Sequence, residues 1–342
     1  MVRAFQQLAR PAHVNAYSVA GLSFCVDSDH AEVLNGFDRQ FTGSHFSRTT
    51  ETSEAWAKIS LFVSKPPIIP TDLETFAIDE DGRCLIEGDT YHIVYGNSLV
   101  SIINSSPLRV NVWLGDLHAG GADLARIFFT ATAALLRRCG RYEMHAACVV
   151  APDSNKGVLL VGPSGSGKST LTAQLAASGW HYLSDDSIVL SAGSSGTEAH
   201  ALRRVFAITE DAIRAGGLQE LEVGLQEPMA LDPTKRRLDP FDVLPDRFLS
   251  SCFPSVLLFP LVTNNQRTTI DIVAPSIAMT LLIRLCPWGT YDRIAARGYV
   301  NALAALAKRC GAYHLYLGED LFGDREQTDH FFRGLLRSTA NL

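Results

Sequence analysis

The sequence predicts an α/β fold in which a larger α/β domain follows a smaller α+β domain. Two observations support this division. Residues 17–115 are rich in β-branched and aromatic residues and are cut by turn residues at short intervals, whereas strand-like and helix-like patterns alternate from about residue 140 onward. A chain of 342 residues is long enough for two hydrophobic cores. We therefore expect domains at 1–118 and 119–342.

The first domain begins with strands predicted at 17–26 and 56–63, because β-branched and aromatic residues cluster there. A helix is predicted between them at 31–41, where apolar residues recur at helical spacing. Short β-like segments separated by Gly-Asp, Gly-Asn and Ser-Ser-Pro then predict an antiparallel meander. Its strands are expected at 84–87, 91–95, 99–103 and 108–114.

The second domain is predicted from an alternation of apolar runs and helical patterns. Helices are expected at 122–138, 170–178, 210–214, 275–285, 301–308 and 326–336, and strands at 144–150, 158–161, 180–183, 188–190, 201–209, 256–260, 268–273 and 313–317. Residues 193–196 are expected to form a Ser/Gly-rich loop, and 231–245 a polar segment.

Composition excludes several classes of function. The formal net charge of -6 argues against nucleic-acid binding, which needs a basic face. Seven cysteines without a C-x-x-C pair predict reduced thiols, with neither a disulfide framework nor a zinc site. No apolar run reaches the length of a membrane span or signal peptide. We therefore expect a cytoplasmic protein with no membrane partner.

The most informative motif follows the apolar run 158–161. Gly162, Gly167, Lys168 and Ser169 fit the P-loop pattern G-x-x-x-x-G-K-[ST]. Glycines and small residues let the backbone curl so that successive N–H groups cradle phosphate oxygens, and the following helix directs its positive end at the same anion. We therefore predict a P-loop domain that binds ATP. The expected ATP-binding residues are Gly162, Pro163, Ser164, Gly165, Ser166, Gly167, Lys168, Ser169 and Thr170.

Two adjacent carboxylates, Asp185 and Asp186, follow the apolar strand predicted after this loop. They are expected at the carboxyl edge of the sheet, where ligands of α/β proteins bind. One carboxylate can hold Mg²⁺ and the other can accept a proton from an attacking hydroxyl. The alternative interpretation is a solvated acidic turn.

Basic side chains further along the chain are candidates for clamping phosphoryl oxygens. The residues are Arg203, Arg204, Lys235, Arg236 and Arg237. The alternative for each is a solvated surface position, and the sequence does not decide which of them reach the phosphates.

Other P-loop classes lack support. The sequence has neither the L-S-G-G-Q signature of transporter ATPases nor the N-K-x-D of GTPases. Small-metabolite kinases of the shikimate type usually begin at the P-loop strand and follow their acidic residues with a helix. In this sequence the acidic pair runs into the β-like residues 188–190, and a strand containing His145 precedes the loop.

Three consecutive segments carry a resemblance to a known family. They read M-H-A-A-C-V-V, then G-V-L-L-V-G-P-S-G-S-G-K-S-T, then L-S-D-D-S-I-V-L. Together they resemble the catalytic domain of HPr kinase/phosphorylase and its serine-kinase relatives, which implies a fold of the HPr kinase and PEP carboxykinase type. The resemblance further implies that Ser169 and Asp185 bind Mg²⁺, that Asp186 is the catalytic base and that His145 supports the site. From the loop motif itself, Lys168 is expected to place its ammonium on the β- and γ-phosphates during catalysis.

One family signature is absent. The bifunctional enzymes carry E-x-R-G-x-G after the acidic pair, and this sequence does not, which argues against phosphorylase activity and against HPr as substrate. Divergent relatives include kinases that tailor lasso peptides. The expected function is therefore an ATP- and Mg²⁺-dependent kinase acting on a serine of a protein or peptide. A small-molecule kinase and a non-catalytic ATP-binding regulatory protein remain alternatives.

Two further expectations concern partners. The β-rich pattern of residues 1–118 suggests that the first domain docks the peptide along a sheet edge. Members of the resembled family often oligomerise, so a homo-oligomer is expected.

Overall fold

The computed structural model of the protein describes residues 13–41, 47–49, 57–78, 81–115, 121–193, 196–203, 205–229, 232–286 and 291–339. The chain divides into two compact units, with the boundary between Cys139 and Gly140. Both units combine helices with sheets that contain parallel and antiparallel pairs. The predicted α/β class is therefore confirmed.

The first unit is built on a mixed sheet with the strand order β3-β1-β2-β4-β9-β8-β7-β6-β5. Its strands are β1 (His13–Val19), β2 (Leu22–Ser28), β3 (Ser47–Thr49), β4 (Ala57–Phe62), β5 (Glu74–Ala77), β6 (Gly82–Glu87), β7 (Thr90–Tyr95), β8 (Ser98–Ile103) and β9 (Leu108–Trp113). Strands β2, β4 and β9 pair in parallel. Strands β6 to β9 pair antiparallel in chain order, so the predicted meander is confirmed.

Two helices pack in the first unit, α1 (Ala31–Phe41) and α2 (Gly121–Arg138). Helix α1 has the predicted bounds, since Val33, Leu34 and Phe37 bury one apolar face. Helix α2 packs on β8 and β9. It therefore belongs to the first unit, although the sequence places the domain boundary before it.

The strands of the second unit carry the candidate site. They are β10 (Arg141–Val150), β11 (Lys156–Val161), β12 (His181–Ser184), β13 (Ser187–Gly193), β14 (Gly196–Ala201), β15 (Phe206–Ile208), β16 (Leu225–Pro228), β17 (Arg236–Leu238), β18 (Ser251–Val262), β19 (Thr269–Ile272) and β20 (Gly311–Leu317). Strand β14 begins at the last residue of the predicted loop 193–196 and ends at the first residue of the strand predicted at 201–209. Strands β15, β17 and β16 form a separate small antiparallel sheet.

The strand pairings of the second unit close into a ring from β11 through β10, β13, β14 and β18 back to β11. Strand β10 pairs with β12 through Cys148 and Ser184 and with β13 through His145 and Ser187. The Cys148–Ser184 pair keeps the register of the β10–β13 pairs, whereas the register of the β10–β12 pairing shifts between Cys148 and Val149. Strands β12 and β13 therefore follow one another along β10, with residues 185 and 186 between them.

Helices cover both faces of this sheet. They are α3 (Lys168–Ala177), α4 (Glu210–Ala215), α5 (Pro240–Val243), α6 (Pro275–Leu285), α7 (Arg293–Arg309) and α8 (Arg325–Thr339). One core joins Ala146 and Leu159 to α6 and α7. The other joins Ala147 and Leu160 to α3 and α8. Because successive strand residues face opposite sides, the sheet lies between the two helix pairs.

In the part of the chain that the structure describes, no helix has both the length and the apolar character needed to cross a membrane.

Candidate functional site

The glycine loop, residues 162–167, connects β11 to α3. Gly167 has a φ of +93°, and a Cβ there would lie 2.9 Å from Leu317 Cδ1. A Cβ on Gly162 would lie 2.8 Å from Ser166 Oγ. Backbone angle and space therefore both require glycine at 167, and space requires it at 162.

The start of α3 is suited to binding an anion. Among the described residues, no side chain caps the helix at Gly167, so the first backbone N–H groups keep their capacity to donate. The helix dipole places partial positive charge at the same end. This geometry is that of a phosphate-binding helix terminus.

Lys168 is buried beneath the loop. Its Nζ donates to Gly162 O at 2.6 Å and to Pro163 O at 2.9 Å, and it lies 3.3 Å from His145 Nε2. Burial lowers the pKa of Lys168, and attraction from Asp186 opposes this effect. The ammonium is therefore held inside the loop by oxygen and nitrogen acceptors, beside the space that the loop encloses.

His145 connects Lys168 to the acidic pair. A protonated lysine can only donate, so His145 Nε2 accepts from Lys168 and Nδ1 carries the hydrogen. Nδ1 lies 3.0 Å from Asp186 Oδ1, and it donates to that oxygen. Burial lowers the pKa of His145 despite the attraction of Asp186, which favours the neutral ring that this network requires.

Asp185 is completely buried. Its Oδ2 accepts from the Ala207 N–H at 3.1 Å, and the nearby Ser169 hydroxyl contributes to lowering its pKa. Its Oδ1 has no hydrogen-bond partner among the described residues and lies 3.6 Å from Arg203 Nη2. Burial raises the pKa of Asp185 to about 6, against the attraction of Arg203.

Asp186 is held differently from its neighbour. Besides the bond from His145, its Oδ2 accepts from Arg203 Nη2 at 2.9 Å. Burial acts to raise its pKa, but the nearby positive charges, of which Arg203 is the strongest, lower it below the ordinary value. The adjacent carboxylates therefore have pKa values that are shifted in opposite directions, which is a recurrent feature of functional sites.

A metal ion fits this site only with help from a ligand. Among the described residues, no group of three or more His, Cys, Asp or Glu side chains is arranged to hold one. Mg²⁺, however, is commonly bound by one or two protein oxygens together with substrate phosphates. The Ser169 hydroxyl and the unbonded Asp185 Oδ1 are oxygen donors of this kind.

The structure sorts the basic residues that the sequence left open. Arg203 contacts both carboxylates, and Lys235 Nζ lies 3.3 Å from Ser164 Oγ on the glycine loop. Arg236 instead bonds Gln226 O and Glu210. Arg237 lies on β17 opposite Ala207, and Arg204 is outside the described residues.

The other predicted loop residues also surround this space. Gly165 has a φ of +80°, and Ser166 and Thr170 are buried. Ser184 is a residue that the sequence analysis missed. Its buried hydroxyl accepts from the N–H groups of Asp186 and Ser187 and fixes the turn. A serine that bonds the backbone N–H two residues further on is a known turn signal.

Comparison with known proteins adds no family to this geometry. No protein-family model matches the sequence, and no curated protein matches it significantly. The resemblance carried by residues 144–191 therefore stays a hypothesis.

Proposed function

We propose that this protein is an ATP- and Mg²⁺-dependent kinase that transfers the γ-phosphoryl group to a hydroxyl, the serine of a protein or peptide. The observation that carries the proposal is the linked arrangement of Lys168, His145 and Asp186 beside the glycine loop. Binding a nucleotide requires only the loop and its lysine. The added histidine and aspartate support a reaction at a hydroxyl and argue against a purely regulatory ATP site.

Ser169 and Asp185 would hold the Mg²⁺ ion. When bound, this ion would neutralise negative charge on the β- and γ-phosphates. Ser169 acts on the pKa of Asp185, and the buried Asp185 Oδ1 has no hydrogen-bond partner among the described residues. Asp185 therefore keeps one oxygen with acceptor capacity besides the oxygen that bonds the Ala207 N–H.

Asp186 would accept the proton of the attacking hydroxyl. As the hydroxyl oxygen bonds to the γ-phosphorus, the bond to the ADP oxygen breaks and the hydroxyl proton passes to the carboxylate. A lowered pKa keeps Asp186 ionised at neutral pH. The bonds from His145 and Arg203 fix the orientation of both carboxylate oxygens.

Further parts of the proposal rest on the sequence. The absent E-x-R-G-x-G segment argues against phosphorolysis. We propose a cytoplasmic location, a docking role for residues 1–118 and assembly into a homo-oligomer. A small-molecule acceptor is the alternative that substrate profiling with γ-labelled ATP tests directly.

The test separates binding from transfer. Lys168→Ala should abolish ATP binding in a calorimetric titration, because the loop loses its buried cation. Asp186→Asn should retain binding but lower transfer to serine peptides by about 10²- to 10⁴-fold, the usual contribution of a general base. Exposed Lys156→Ala and Asp211→Asn are matched controls and should behave as wild type.

Three results would contradict parts of the proposal. Unchanged ATP affinity in Lys168→Ala would remove the nucleotide site. Wild-type turnover in Asp186→Asn would reject the assignment of the base, and ATP binding without phosphoryl transfer to any hydroxyl would favour the regulatory alternative.

A further inference from the structure

Lys235 is distant from the glycine loop in sequence but contacts it in space. Its Nζ lies 3.3 Å from Ser164 Oγ and 3.5 Å from Asp232 Oδ2. The side chain is 28% exposed. Lys235 therefore places an ammonium group at the edge of the loop from a different element of the fold.

The backbone of Lys235 is fixed on both sides. Its N–H donates to Asp232 O at 3.0 Å, and its carbonyl accepts from the Met229 N–H at 2.8 Å. The Asp232 carboxylate also accepts from the backbone N–H and hydroxyl of Thr234, and strand β17 follows directly. The turn is therefore built into the small sheet, and its lysine is delivered from a fixed base.

The charge of Lys235 acts on the centre of the site. It contributes to lowering the pKa values of Asp186, His145 and Lys168. Lys235 is therefore close enough to the groups assigned to the transfer reaction for its charge to act on them. Its own partner, Asp232, has a side chain that is 43% exposed, and ion pairs in such positions are weak. The ammonium can therefore exchange Asp232 for a stronger anion.

The neighbouring cations already have partners. Lys168 bonds two loop carbonyls, and Arg203 bonds Asp186. The glycine loop and the start of α3 supply backbone donors suited to the α- and β-phosphates, and the P-loop lysine reaches the β- and γ-phosphates. Lys235 is a third cation at the edge of the loop, held by a partly exposed ion pair, and it is placed to bind an additional phosphate.

We infer that Lys235 binds the terminal phosphate of a nucleoside triphosphate, so that the site distinguishes a triphosphate from a diphosphate. This inference rests on the proposed nucleotide site and adds a binding residue to it. After transfer, the diphosphate lacks the group that Lys235 contacts. Loss of this contact favours release of the product and return of Lys235 to Asp232.

The experiment compares Lys235→Gln with the adjacent Arg236→Gln in the full chain. Affinities for Mg-ATP and Mg-ADP are measured by calorimetry, and thermal unfolding verifies that each variant is folded. Lys235→Gln should weaken ATP binding by about tenfold, as expected for one charge-assisted hydrogen bond, and ADP binding by less than about twofold. Arg236→Gln should leave both affinities unchanged, because its side chain bonds Gln226 and Glu210.

A conservative variant tests the role of the charge. Lys235→Arg should restore the preference for ATP to within about threefold of wild type, since the guanidinium keeps the charge and can bind phosphate. Provided that wild type binds both nucleotides, the inference is overturned if Lys235→Gln weakens ATP and ADP binding equally or weakens neither. A wild-type protein that binds neither nucleotide would instead refute the proposed function itself.

Discussion

Replacing Asp185 by asparagine should stabilise the protein in the absence of nucleotide and Mg²⁺. The side chain is completely buried, and asparagine keeps its shape and its oxygen acceptor for the Ala207 N–H. The substitution removes the charge, with its attraction to Arg203, and replaces the other carboxylate oxygen by an NH₂ group. It therefore tests the free-energy cost of holding a negative charge at this position.

The pKa of Asp185 sets the size of the effect. It is raised from 3.8 to about 6, with burial as the first cause, and this difference corresponds to about 3 kcal/mol. A raised carboxyl pKa means that the folded state binds the proton more tightly, so stability falls as the pH rises. The cost is absent below about pH 4, grows between pH 4 and pH 6, and is complete above about pH 7.

A local probe is needed because the chain contains two compact units, and a single unfolding free energy is not defined for such proteins. We would follow urea unfolding at pH 4, 6 and 8 by hydrogen exchange in peptides from β10 and β11. The stability gain of Asp185→Asn over wild type should be near zero at pH 4 and about 3 kcal/mol at pH 8. Asp153→Asn, at a highly exposed ion pair, is the control and should show no comparable trend.

This prediction is wrong if the stability gain of Asp185→Asn is the same at all three pH values, or if wild type is the more stable protein at pH 8. Saturating Mg-ATP should reverse the order. The ion would compensate the buried charge only in wild type, and ligands that bind the folded state stabilise it. Asp185→Asn is therefore expected to be stable and inactive.

Two further substitutions test the frame around the carboxylates. Gly167→Ala should lower the local unfolding free energy, measured by hydrogen exchange in β11 peptides, by about 1–3 kcal/mol and weaken ATP binding, because its Cβ would lie 2.9 Å from Leu317 Cδ1 at a φ of +93°. The helical control Gly334→Ala, which meets nothing within 4 Å, should be neutral or stabilising in the same denaturant titration. His145→Gln should keep the ATP affinity within about threefold but lower turnover at least about tenfold, since Asp186 loses the Nδ1–H bond that orients it. Unchanged turnover would remove His145 from the mechanism.

Sequence reasoning succeeded where the pattern is local. The helix at residues 31–41 has its predicted bounds because its apolar spacing, with Val33, Leu34 and Phe37 buried, is contained in one segment. The glycine loop is likewise contained in one segment and connects β11 to α3 as expected, whereas its binding of ATP stays a prediction. The segment 144–191 could therefore be interpreted as one unit, because β10, β11 and β12 are consecutive in the chain.

The sequence did not predict the structure where contacts between distant segments determine it. Strand β14 alternates polar residues with small alanines, a weak strand signal, and pairing with β13 and β18 determines its conformation. Among the basic residues, Lys235 and Arg236 are adjacent in sequence, yet only Lys235 contacts the glycine loop. The small sheet formed by β15, β17 and β16 determines which of the two side chains lies at the loop. Its pairings join segments far apart in the chain.

The two carboxylates show how a strand interruption can create a site. In a regular strand, consecutive side chains point to opposite faces, so Asp185 and Asp186 would be separated by the sheet. Residues 185 and 186 instead lie between β12 and β13, which pair one after the other with β10. Both carboxylates therefore reach the same guanidinium, that of Arg203. Because one is fully enclosed and the other faces several cations, the shared position gives the two carboxylates pKa shifts in opposite directions.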